Sequence, residues 1–123
     1  MIDPELNLLT DEELVTQFQI RAKSHGRNVV NGEASEAKRS YWELKAVRQE
    51  LRARGPRARQ SLAGLFDHPK MAVRYYAATE LLAIEPVRAR AIIQDVKDHG
   101  PSPLAGDASG TLRMLDDGTF IPT

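Results

Sequence analysis

The stretch from Leu65 to Leu82, LFDHPKMAVRYYAATELL, decides the fold. Asp67-His68-Pro69 breaks the chain, because proline cannot donate to a preceding helical turn and restricts the residue before it. Beyond the break, Val73, Ala77, Leu81 and Ile84 recur at helical spacing, and Ala78 and Leu82 widen the same stripe. Before it, Ala58, Leu62, Leu65 and Phe66 form a second, shorter stripe. The segment therefore predicts two antiparallel helices, Pro56–Phe66 and Lys70–Ile84, joined by a tight turn.

The same periodicity extends in both directions. Upstream, Thr10 followed by Glu13 is a capping box, with Leu9 and Leu14 placed as the hydrophobic staple around it. Leu14, Phe18 and Ala22 then recur every four residues, and Asn31-Gly32 ends this first helix. A second helix is predicted over Ala34–Arg54, with Ala37, Tyr41, Leu44, Val47 and Leu51 inward and Gly55-Pro56 as its stop. Downstream, Pro86 opens a fifth helix carrying Ala89, Ile92, Ile93 and Val96, which Gly100-Pro101 ends. Pro103 opens a sixth, with Leu104, Ala108, Leu112 and Leu115 inward and Gly118 as its end. Gly106 and Gly110 lie inside it, where each glycine costs about 1 kcal/mol against alanine; close helix packing is the expected compensation. Phe120 and Ile121 predict a tail that folds back onto the body.

No segment alternates strictly between apolar and polar residues, so no sheet is expected. At 123 residues, with 41% hydrophobic and 28% charged, the chain reads as one globular all-α domain spanning residues 1–123. A chain of this size buries roughly two-thirds of its unfolded surface, enough for a core without staples. It has no cysteine, which excludes disulfides and thiolate metal sites. MIDPELNLLTDEELV is acidic and carries no apolar run of signal-peptide length, and no run approaches a membrane span. The expected compartment is the cytoplasm.

Two resemblances follow from these residues. Leu62 and Leu65, the Asp67-His68-Pro69 turn, Val73-Arg74, Ala77-Ala78 and Leu81-Leu82 resemble a HEAT repeat, clearest over residues 56–85. That resemblance implies a short right-handed HEAT/armadillo-like array of about six helices in antiparallel hairpins. It also implies a structural pairing of Asp67 with Arg74. The outer helices depart from the repeat pattern and look like the caps that a stacked array needs. Nearly the whole chain resembles a small bacterial family of unknown function, through Glu50-Leu51-Arg52-Ala53-Arg54-Gly55 and the segment from Gly100-Pro101 to Ala108. This second resemblance implies a fold and no activity.

Chemistry is sparse. His25, His68 and His99 have no second ligand at metal spacing, so structural or surface roles are expected and no metal or cofactor. Asp116 and Asp117 are adjacent on a helix and do not face one reacting group. Gly106-Asp107-Ala108-Ser109-Gly110 lacks the lysine and hydroxyl of a phosphate loop. No nucleophile elbow is present, and the chain offers no constellation for an enzyme.

Charge is the best lead. The net charge is zero, yet residues 1–20 carry five acids and no base, while residues 21–60 carry eleven bases and four acids. Arg48, Arg52, Arg54, Arg57 and Arg59 form a basic run interrupted by Glu50. It reads first as a face of intramolecular ion pairs, second as a surface for an acidic protein, and third as a phosphate-binding stripe. A nucleic-acid module is expected to be clearly basic, and this chain is not. Tyr41 and Tyr76 fall on or near core stripes; Trp42 and Tyr75 are offset by one residue and become candidate anchors. The expected function is a non-catalytic binding or scaffold protein, one form being an inhibitor or immunity-type partner of another bacterial protein. Its contact face is formed by helices 2 and 4, with Arg48, Arg52, Arg74, Tyr75 and Trp42 as contact residues. The alternative is a nucleic-acid binder using Arg48 to Arg59. Monomer and homodimer both remain open.

Overall fold

A computed structural model describes residues 5–123. It contains six α-helices and no strand among the described residues: α1 (Asp11–Val30), α2 (Ala34–Arg54), α3 (Pro56–Gln60), α4 (Met71–Glu80), α5 (Pro86–His99) and α6 (Leu104–Asp116). Short 3-10 helices cover Leu6–Leu8 and Ser61–Asp67. The all-α expectation holds. α1 packs along α2, and α4, α5 and α6 pack in sequence, with α1 also lying against α4.

Local chemistry explains most boundaries. The capping box at α1 is formed in full: the Glu13 N–H donates to Thr10 Oγ1 (3.1 Å) and the Thr10 N–H donates to Glu13 Oε1 (2.9 Å). Hydrogen bonding to the Thr10 backbone, and then to its side chain, favours the Glu13 carboxylate and lowers its pKa. Gly55, at φ 102°, joins α2 to α3 in a conformation that suits glycine.

α1 runs through Gly26 despite the low helix propensity of glycine. A Cβ there would collide with the Cβ of Ala72, so the missing side chain lets α1 and α4 touch. Gly106 and Gly110 correct the opposite expectation. A Cβ at either would meet nothing within 4 Å, so neither glycine serves a close helix contact.

The predicted third helix divides. Its first turn is α-helical and the rest, Ser61–Asp67, is 3-10. The tighter winding of three residues per turn sets Leu62 and Leu65 on one line, and both are buried with Phe66. The predicted fourth helix is shorter than expected, running Met71–Glu80 before a turn whose Leu81 and Leu82 remain core residues. Its Arg74 donates to the carbonyls of His68 (2.7 Å) and Pro69 (3.2 Å) and lies 3.9 Å from Asp95. Arg74 thus ties the turn to α5, and its ion pair is with Asp95 where Asp67 was expected.

The core joins Leu14, Phe18 and Ala22 of α1 to Leu44, Val47 and Leu51 of α2 and to Val73, Ala77 and Ala78 of α4. Ala89, Ile93 and Val96 of α5 and Leu104, Ala108 and Leu112 of α6 complete it. The tail folds back only in part. The Phe120 N–H donates to the Met114 carbonyl (3.1 Å) and its ring packs on the core, whereas Ile121 is 76% exposed.

Candidate functional site

Glu80, the last residue of α4, lies on the Val73–Ala77 core stripe, seven residues after Val73, and its side chain is fully buried. Arg48 Nε and Arg52 Nε each donate to one of its carboxylate oxygens at 2.7 Å. Arg59 Nε lies 3.5 Å from the same group, and Arg59 Nη2 donates to the Glu80 backbone carbonyl at 2.9 Å. One carboxylate therefore gathers three guanidiniums. Burial, followed by repulsion from Arg52, pushes the Arg59 pKa down. Arg54 is held separately by Glu50 and Asp11, both at 3.0 Å. Four of the five arginines in the basic run are thus engaged within the fold.

This geometry fits a simple principle. A buried carboxylate needs both charge and hydrogen-bond partners, and three arginines from α2 and α3 supply them. The cluster locks the end of α4 against α2 and α3. It still carries two more positive charges than negative ones. Arg48 and Arg52 remain partly exposed, so that excess reaches the surface.

Beside the cluster lies a groove of about 660 Å³ between α2, α4, α6 and the tail. Tyr41 and Arg48 stand on its α2 side, Tyr76 and Thr79 on α4, and Met114 and Phe120 on the far side. His25 of α1 forms part of its wall. Its ring centroid lies 5.2 Å from that of Tyr76 and 6.1 Å from that of Tyr41. Tyr75 and Tyr76 meet edge-on at 5.3 Å.

The tyrosines exchange the roles expected of them. Tyr41 is 40% exposed at the groove mouth, not packed inward, whereas Tyr75 is only 5% exposed. The Tyr75 hydroxyl bonds Thr111 Oγ1 at 3.1 Å, making it wall and not free anchor. Helix α4 is covered on more than one side, so a one-residue offset from its stripe still points into packed structure. Trp42 is 56% exposed and meets Tyr41 edge-on at 5.4 Å. Lys45 Nζ sits over the Trp42 ring at 4.9 Å, a cation–π contact that holds both side chains at the surface.

Behind the groove is a buried polar network that hydropathy does not reveal. His25 Nδ1 and Ser40 Oγ are 2.8 Å apart. Asn28 Nδ2 donates to Ser40 Oγ (3.2 Å) and to the Glu36 carbonyl (3.3 Å), and Ser40 Oγ donates to the Ala37 carbonyl (3.1 Å). Ser40 is buried and spent inside this network. Burial lowers the His25 pKa, against a backbone bond at Ala37 and the Asp107 charge that raise it. Burial also raises the pKa of Tyr75, Tyr76 and Asp107. The shifts of His25, Tyr75 and Tyr76 favour the uncharged forms of these groove-wall side chains, and fixed charge stands at the rim in Lys45, Arg48 and Arg52. Such a surface suits an apolar or aromatic group that has a carboxylate beside it.

The remaining candidates fall elsewhere. His68 Nδ1 accepts the Lys70 N–H (3.0 Å), and His99 pairs with Asp95 (3.0 Å) on α5. Asp116 pairs with Arg90, and Asp117 accepts the Thr119 N–H (2.9 Å); hydrogen bonding to the Thr119 side chain, then to its backbone, lowers the Asp117 pKa. Among the described residues, no group of three or more potential ligands is placed to hold a metal ion. No helix among them is long and apolar enough to cross a membrane.

Fold and site together define a small all-helical protein with an aromatic groove beside a buried carboxylate–arginine cluster. The chain belongs to the family described as a domain of unknown function, DUF2019, which it matches over residues 12–116. It is also similar to a protein of known crystal structure from Rhodopseudomonas palustris, with 33% identity, a TM-score of 0.88 and full coverage of both chains. No curated protein matches it.

Proposed function

We propose that this protein is a non-catalytic protein-binding module, and that the groove between α2, α4 and α6 receives an apolar or aromatic side chain of a partner protein. The single observation that carries the reading is the exposed Tyr41–Trp42 pair, braced by Lys45, at the mouth of an aromatic groove. Exposed tyrosine and tryptophan contribute large contact area at small entropic cost and concentrate binding energy in protein interfaces. Trp42 and Tyr41 are the anchors, Arg48 and Arg52 face the partner's carboxylates, and Tyr75 holds the wall. Arg74 acts on the hairpin, where its bonds tie the turn to α5. The 3-10 stretch and α4 serve as a HEAT-like hairpin that carries the face. An inhibitor or immunity-type role towards another bacterial protein, inside the cell, is one form of this reading.

The alternative uses Arg48 to Arg59 on nucleic-acid phosphates. The excess positive charge of the cluster favours it, and the engagement of Arg48, Arg52 and Arg59 with Glu80 weakens it. Capture from native lysate at low and high salt, with and without nuclease, separates the two. The expected result is a stoichiometric protein that survives nuclease and is lost with Trp42→Ala or Tyr41→Ala. Recovery of nucleic acid alone, shed with salt and insensitive to Trp42→Ala, would overturn the protein-binding reading.

A further inference from the structure

A second surface lies between α1, the start of α4 and the segment before α6. It is a depression of about 310 Å³ that shares no lining residue with the tyrosine groove. Its floor is apolar: Val30, Met71, Ala72, Pro101 and Leu104. Gly26 also lines it, where the missing side chain lets α1 settle onto Ala72. Its rim carries Lys23 and Arg27 on one side, four residues apart on α1, and Lys70 on the other, at the start of α4. No carboxylate lines it.

Those three cations are unlike most arginines of this fold. Arg48, Arg52, Arg54, Arg59, Arg74, Arg88 and Arg90 all reach an internal carboxylate. Lys23, Arg27 and Lys70 are exposed, and among the described residues their side chains form no ion pair or hydrogen bond. Three unpaired like charges around an apolar floor repel one another and gain from an anionic partner. They flank the apolar floor from two helices, and a polypeptide with an apolar side chain flanked by carboxylates complements both the floor and its rim charge.

We propose that this depression is a docking site for an acidic segment of a partner protein, whose apolar anchor enters between α1 and α4 while its carboxylates pair with Lys23, Arg27 and Lys70. The site is independent of the tyrosine groove, so either can fail without the other. The test is a nuclear magnetic resonance titration of the ¹⁵N-labelled full chain with a blocked pentapeptide, a central leucine between two pairs of acidic residues. Saturable shifts are expected at the amides of Lys23, Gly26, Arg27, Lys70 and Ala72. Lys23→Glu and Lys70→Glu each weaken binding roughly fivefold to tenfold. Both are exposed positions, and an unchanged thermal midpoint shows that the variants fold. Replacing the central leucine by glycine removes the saturable shifts if the floor takes an anchor. Shifts confined to Tyr41, Trp42 and Arg48 would overturn this proposal while supporting the groove. Absence of saturable shifts, or equal binding of a peptide with lysine in place of every acid, would also overturn it.

Discussion

Glu80 shows how one residue organises its surroundings. Three arginines share its carboxylate. Removing one member of a buried charge cluster leaves the others uncompensated, at a typical cost of about 3–5 kcal/mol. Glu80→Ala is therefore expected to destabilise the fold by about that amount, read from urea denaturation of variant and wild type. Arg48→Ala and Arg52→Ala are expected to cost less, because both side chains are partly exposed and Glu80 keeps two partners. An Arg48→Ala loss as large as that of Glu80→Ala would contradict the shared-carboxylate account. Glu80 was legible in principle, since a carboxylate on an otherwise apolar helical stripe signals a buried ion pair. Its partners were not, because they lie 21 to 32 residues away in sequence.

Elements were the most legible level, and the glycines show why legibility has limits. The capping box of α1 and the proline starts of α3 and α5 depend on neighbouring residues alone, and each forms where local chemistry places it. Glycine inside a helix has one local cost but two opposite tertiary meanings. Gly26 admits Ala72, whereas Gly106 and Gly110 admit nothing. Gly106→Ala and Gly110→Ala are expected to stabilise α6 by about 0.5–1 kcal/mol each, through helix propensity and a less flexible unfolded chain. Gly26→Ala is expected to destabilise by about 1–3 kcal/mol, the usual range for overpacking. Thermal unfolding of the three variants reads the signs directly. A destabilised Gly106→Ala would contradict the open space beside α6. The division of the third predicted helix escaped the sequence because α and 3-10 windings bury Leu62 and Leu65 about equally well.

At the scale of the whole molecule, zero net charge hides a strongly partitioned chain, in which Glu80 and Asp11 reach arginines of the basic middle while Lys23 and Arg27 stay exposed. The site was legible only in outline for the same reason. Trp42 could be picked out from its offset, but Tyr41 and Tyr75 exchanged places because burial depends on which helices arrive later in the chain. The His25–Asn28–Ser40 network left no pattern, since polar residues on a helix read as solvent-facing. That network gives the molecule a pH dependence. Burial holds the folded-state pKa of His25 below its ordinary value of 6.5. Between the two values the unfolded chain binds more protons than the folded one, so stability falls as pH drops below about 6.5. The stabilising contribution is complete above that value and is lost as pH falls through the folded-state pKa. Asp107 opposes this only in the more acidic carboxylate range, where its raised pKa favours the folded state at low pH. Glu13 and Asp117, whose pKa values are lowered, act with His25 there. Thermal midpoints measured from pH 7.5 to 5 are expected to fall for the wild type before the carboxylates titrate. His25→Gln retains hydrogen-bonding capacity towards Ser40 but has no proton to gain, and its midpoint is expected to stay nearly flat over that interval. An equal decline in the variant would assign the acid sensitivity to another group and leave the buried network without a part in it.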